Sequence, residues 1–245
     1  MIKRLVVNGC SYMHVYASGN GHNDLADRLG ITDAESIAQS GCNNSRILRT
    51  TVKDSYLTDV PTFYVLGMTF ISRSEVPILK YEPGESAATS FEGRWTNPQN
   101  QLYASRWEDH WTNKDTDTFV DLKLKEELVS LLDRTEDLMY RMLTTISDLE
   151  SRGHSVLLYQ QADSDYFCEL ETPRLQLFKT KSNFVNNFKW SAIQWQHEQG
   201  VPINEGVYTN RYGDAPEPIR HRRAGHHQIL NEFLTNYIVE HKILN

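Results

Sequence analysis

Apolar positions along this chain fall into two patterns. Short continuous runs, Leu5-Val6-Val7, Phe63-Tyr64-Val65-Leu66 and Val156-Leu157-Leu158-Tyr159, are bounded by turn residues: Asn8-Gly9 after the first, Pro61 and Gly67 around the second, Gly153 before the third. Runs this short, rich in β-branched and aromatic members, predict strands buried on both faces. Between them apolar residues recur every three or four positions, which predicts helices. A short helix spans Asp24 to Leu29 and ends at Gly30. Asn43-Asn44-Ser45 offers capping side chains ahead of a helix over Arg46–Val52. A long helical pattern runs from Phe119 to Arg152, its stripe including Leu128, Leu131, Leu138, Met142, Ile146 and Leu149, and a last helix covers about Ala224 to His241. Strands alternating with helices predict an α/β fold with a parallel sheet covered on both faces.

Two stretches interrupt the alternation. Residues 71–118 are polar, carry Pro77, Pro83, Gly84, Gly93 and Pro98, and hold Phe91, Trp95, Tyr103, Trp107 and Trp111. Their aromatics argue against disorder and predict an insertion leaning over the sheet edge, where the rings either stack on a ligand or form a satellite core. Residues 163–218 are a second insertion, with Phe184, Phe188, Trp190 and Trp195 read as lying on a helix. The expectation is one domain over residues 1–245.

Composition narrows the function classes. The chain of 245 residues is 39% hydrophobic and 11% aromatic, ample for a core, and its net charge of −7 argues against a nucleic-acid partner. The apolar run after Lys3-Arg4 stops at Asn8, too short for a secretory segment, and no stretch reaches the roughly 18–20 apolar residues of a membrane span. With three cysteines and no metal-ligand spacing, a cytoplasmic location is expected, without cofactor, metal or membrane partner. Cys10 and Cys42 read as buried packing residues. The long helical stripe also suits a contact between copies of the chain, a homo-oligomer.

The candidate chemistry sits at the strand ends. Lys3–Met13 reads as a strand running into a Gly9-Cys10-Ser11 turn, which presents the Ser11 hydroxyl at the crevice where α/β sheets bind ligands. Ala38-Gln39-Ser40-Gly41-Cys42-Asn43-Asn44 forms a second turn, Leu66-Gly67-Met68-Thr69 a third strand end, and Arg220-His221-Arg222-Arg223-Ala224-Gly225-His226 leads into the last helix. In this order the four blocks resemble those of the SGNH (GDSL-type) hydrolase superfamily, and the Asn-Gly-Cys-Ser form of the first block looks like its divergent phage and bacterial members.

The resemblance implies a three-layer α/β/α sandwich with a flavodoxin-like parallel sheet. It implies a serine esterase in which Ser11 is the nucleophile, His221 the general base, and Gly41 and Thr69 the oxyanion donors. Asn44, with Arg46 and Arg49, also matches the residues after the second block in the phage relatives. The chain departs from the family pattern at three places. Cys10 stands where the family has aspartate beside the serine, Thr69 where it has asparagine, and Pro218 where it has the aspartate three residues before the histidine. Glu217 and Asp214 are the carboxylates left to orient His221. A serine needs such a base to become nucleophilic, and each lost oxyanion donor typically costs about 100–1000-fold in rate. The sequence thus leaves two expectations. One is an acyl hydrolase, such as a carbohydrate O-acetyl esterase acting on a small-molecule or carbohydrate ester. The other is a catalytically degenerate SGNH-like binding or structural protein, in host cytoplasm or virion if phage-encoded.

Overall fold

The computed structural model describes residues 2–39, 42–69, 131–161, 181, 183–185, 191–200 and 227–244, with the pairs 76–77, 95–96, 207–208 and 217–218. At its centre lie four parallel strands, β1 (Arg4–Gly9), β2 (Asp33–Ser36), β3 (Thr62–Met68) and β4 (Ser155–Gln160), in the order β2-β1-β3-β4. This is the strand order of a flavodoxin-like sheet. β1 and β3 are buried along their whole length, as the uninterrupted apolar runs predict for strands covered on both faces.

Two cores make the three layers. On one face, α3 (Asn44–Tyr56) and α4 (Leu131–Ser151) bring Ile47, Leu48, Leu138, Met142, Ile146 and Leu149 onto Val6, Tyr64, Leu66, Val156 and Leu158. On the other, α1 (Ser11–Ser18), α2 (Gly21–Leu29) and α6 (His227–Glu240) cover Leu5, Val7, Phe63, Val65, Leu157 and Tyr159. Strand alternation decides which residue faces which core.

Local signals explain the element ends. The Asn43 side chain caps α3 by accepting from the Arg46 N–H at 2.8 Å. Gly153, between α4 and β4, takes φ +79°, a conformation that strains any residue with a Cβ. Cys10 and Cys42 are buried in the α3–α4 core and form no disulfide with each other.

The sequence reading is revised in three places. Ser11–Ser18 forms a helix that the apolar pattern does not announce, and Asp33–Ser36 forms the polar edge strand β2. The aromatics of residues 163–218 do not share one helix. Phe184 bridges Leu158 in parallel and is fully buried, Ser191 bridges Gln160, and Trp195 sits on α5 (Ala192–Glu198). These bridges lie along the outer edge of β4, the position of a fifth strand. Of the 71–118 insertion, Val76–Pro77 pairs antiparallel with Trp95–Thr96, and the rest lies outside the described residues. No described helix is long and apolar enough to cross a membrane.

Candidate active site at the C-terminal edge of the sheet

Three devices bring the sequence blocks together. The first seats α1. A Cβ on Gly9 would lie 2.8 Å from the Gly67 carbonyl oxygen, and one on Gly67 would lie 2.5 Å from Met13 Cγ and 2.9 Å from its sulfur. Both glycines therefore make room for Met13, and the Tyr159 hydroxyl donates to the Met13 sulfur at 2.8 Å. Burial pushes the Tyr159 phenol well above its ordinary pKa, so it remains a donor. Met13 anchored in this pit fixes the helix whose first residue is Ser11, half-buried at the end of β1. Cys10, the preceding N-cap residue, is fully buried in the core.

The second device aligns the turn after β2. The Ile37 N–H donates to Val7 O at 3.0 Å and the Gln39 N–H to Gly9 O at 3.1 Å, while the Cys42 N–H donates to Gln39 O at 3.3 Å. Asn8, buried at the end of β1, donates to Ile47 O at 2.9 Å, Thr50 Oγ1 at 2.8 Å and Thr51 Oγ1 at 2.9 Å, tying the strand to α3.

The third device holds the end of β3. Thr69 N–H donates to Asn44 Oδ1 at 2.7 Å, and Asn44 Nδ2 donates to Thr69 O at 2.9 Å. The Asn44 carboxamide thus stands in for a neighbouring strand two residues beyond the last β1–β3 pair, Gly9 opposite Gly67. It satisfies two buried backbone groups that would otherwise be costly. The Thr69 hydroxyl is buried with no hydrogen-bond partner among the described residues, and so is Gln161 Oε1.

The C-terminal helix joins this assembly through α1. The Tyr16 hydroxyl donates to Gly21 O at 2.8 Å and Asn231 Oδ1 at 2.7 Å, and Asn231 Nδ2 donates to Asp24 Oδ2 at 2.8 Å. The His227 ring stands edge-on to the Tyr16 ring with centroids 6.3 Å apart.

Of the residues expected from the sequence, Ser11, Asn44 and Thr69 have described positions at this edge. Glu217 pairs its backbone with Tyr208 in a short antiparallel ladder, while Gly41, Asp214 and His221 lie outside the described residues. Sequence reasoning missed Met13, Asn8 and Gln161. The Gln160-Gln161 pair closing an apolar run was the one available signal. Among the described residues no group of three or more His, Cys, Asp or Glu is placed to hold a metal ion.

No protein-family model and no curated protein matches the sequence. Among solved structures, a crystal structure of TesA is similar at 14% identity and a TM-score of 0.43, over 96% of this chain and 98% of that one. The α/β class of the present chain is defined by its own strand order and two cores.

Proposed function

We propose that this chain is a serine acyl hydrolase of the SGNH type with Ser11 as nucleophile. One observation carries the reading: Ser11 opens α1 at the C-terminal end of β1, and the start of α6 packs against that same helix. His221 precedes His227 by six residues, and six residues span at most about 20 Å. In this reading His221 reaches Ser11 from that segment.

In this reading Ser11 Oγ attacks the ester carbonyl carbon while His221 takes its proton. The tetrahedral oxyanion is held by backbone donors at Ser11 and Gly41 and by the Thr69 hydroxyl. Collapse breaks the ester C–O bond, His221 returns the proton to the leaving alcohol, and water then releases the acyl group from Ser11. The positive end of α1 favours the developing negative charge. Asp214 or Glu217 orients the imidazole, and Asn44 acts as a positioning residue through the Thr69 backbone. No cofactor enters this chemistry. The substrate proposed is an ester of a small molecule or carbohydrate, an O-acetyl group being the simplest case.

The sealed Thr69 hydroxyl supports a second reading, a non-catalytic binding protein on the same scaffold. Labelling with a small fluorophosphonate, read by intact mass, separates the two. The hydrolase gives one adduct on wild type and none on Ser11→Ala. A folded wild type that gains no adduct is the binding protein.

A further inference from the structure

Gln161 follows the last residue of β4. Its N–H donates to Met68 O at 2.8 Å, so the β3–β4 ladder continues one step past the Met68–Gln160 pair and sets Gln161 beside Thr69. Its side chain lies on the α1 face, with Oε1 3.1 Å from where a Cβ on Gly67 would stand, next to Met13. Strand alternation puts the Thr69 side chain on the same face as Gly67. Gln161 is 5% exposed and Thr69 fully buried. Two neighbouring buried polar side chains therefore each hold an atom with no hydrogen-bond partner among the described residues.

An unmet buried acceptor is a standing penalty, and proteins retain such groups where something else requires them. The backbone geometry here needs nothing from the Gln161 carboxamide, since its N–H and C=O are already engaged with Met68 O and the Ile193 N–H. A carbonyl-type oxygen can be satisfied only by an incoming N–H or O–H.

We infer that Gln161 is a specificity-determining residue that accepts a hydrogen bond from an O–H or N–H on the substrate, close to the carbonyl held by Thr69. The inference rests on the hydrolase reading for the place of the reacting carbonyl. The substrate class it selects is an acyl compound carrying a donor near that carbonyl, a hydroxyacyl ester or a secondary amide, rather than a plain alkanoyl ester. A site built to hydrogen-bond such a group discriminates against an analogue that lacks it, because the site group is then left unpaired.

The test uses the full chain in a Ser11→Ala background, so that probes bind without turnover. Methyl butyrate, methyl 3-hydroxybutyrate and N-methylbutyramide are titrated by ligand-observed NMR, with and without Gln161→Met, alongside thermal melts. The expected result is roughly tenfold tighter binding of a donor-bearing probe than of methyl butyrate. Gln161→Met abolishes that preference and leaves the melting temperature unchanged or higher, because a buried orphan is replaced by an apolar side chain of similar shape. Which of the two donor probes gains separates O–H from N–H recognition. Equal or absent binding of all three probes overturns the inference. So does a Gln161→Met protein that unfolds or melts several degrees lower, since that assigns the carboxamide an internal structural role. The hydrolase reading is judged separately, by labelling of Ser11 in the protein with Gln161 intact.

Discussion

At the N-terminal edge of the sheet, Arg4, Asp54, Tyr64 and His154 are buried or half-buried and each is engaged. Arg4 donates to Asp54 through both terminal nitrogens, at 2.8 and 3.1 Å, and pairs also with Glu35. The Tyr64 hydroxyl donates to Asp54 Oδ2 at 2.8 Å, and the Thr62 N–H donates to His154 Nδ1 at 3.2 Å. At the C-terminal edge, about one strand length away, glycines replace side chains at Gly9 and Gly67, while Thr69 Oγ1 and Gln161 Oε1 have no partner among the described residues. One sheet thus has an end that meets its polar demands internally and an end that leaves two of them open. Parallel α/β sheets bind ligands beyond the C-terminal ends of their strands, so the open demands fall where a ligand would meet them. The closed end reads as stability alone.

Substitutions at the two ends should separate accordingly. Arg4→Leu strips Asp54 of its bidentate partner and leaves a half-buried carboxylate with one phenol donor. Breaking a fully buried pair costs about 3–5 kcal/mol; with Asp54 partly solvated, about 2–4 kcal/mol is expected by urea denaturation. The rate of fluorophosphonate labelling at Ser11 in the folded protein should be unaltered, and a large fall in it would mean that the two ends are mechanically linked. Gly9→Ala acts at the other end. Its Cβ meets the Gly67 carbonyl oxygen at 2.8 Å, a backbone atom that cannot swing aside, and it also crowds Met13. Overpacking of this kind costs about 1–3 kcal/mol, and lifting α1 from its pit should slow Ser11 labelling more than tenfold. Labelling that survives Gly9→Ala would show that the seat of Met13 does not govern the serine.

The sequence made the closed parts of the molecule easier to read than the open ones. β1, β3 and β4 were legible because a strand buried on both faces must be apolar at nearly every position. α3 was legible from Asn43-Asn44-Ser45, although its true length, Asn44–Tyr56, exceeds the apolar pattern. α1 was not, since Met13 and Tyr16 are its only buried members and the feature that seats it, a pit between two glycines on different strands, is a tertiary fact. β2 escaped because an edge strand reading Asp33-Ala34-Glu35-Ser36 has no apolar face to announce. Ser11 was legible as a turn position and Thr69 as a strand end, and both stand at the C-terminal edge of the sheet. Asn44 was marked only by resemblance, and its grip on the Thr69 backbone depends on contact between residues 25 apart. Gln161 carried no motif, because a polar residue after an apolar run becomes informative only when its surroundings are known, and among the described residues nothing answers its Oε1.

The smallest expected effect concerns pH and sharpens the contrast from the closed end. His154 is 6% exposed, accepts from the Thr62 N–H and lies edge-on to the Tyr64 ring. Burial, reinforced by the charge of Arg152, holds its pKa below the ordinary 6.5, and burial does the same for His22. Protonating Nδ1 would also set a donor against the Thr62 N–H. For a base with a depressed folded pKa, the unfolded chain takes up the proton first as pH falls. Stability is therefore complete above about 6.5 and is lost on acidification through the window between that value and the lower folded pKa. Urea denaturation between pH 7.5 and 5 should show this decline, and His154→Asn, whose amide oxygen can still accept from Thr62, should flatten it while leaving the share owed to His22. Labelling of Ser11 at fixed pH should be the same in both proteins. Identical slopes for wild type and His154→Asn would remove the histidine from the account. A matching change in Ser11 labelling would show that protonation at the closed end reaches the open one.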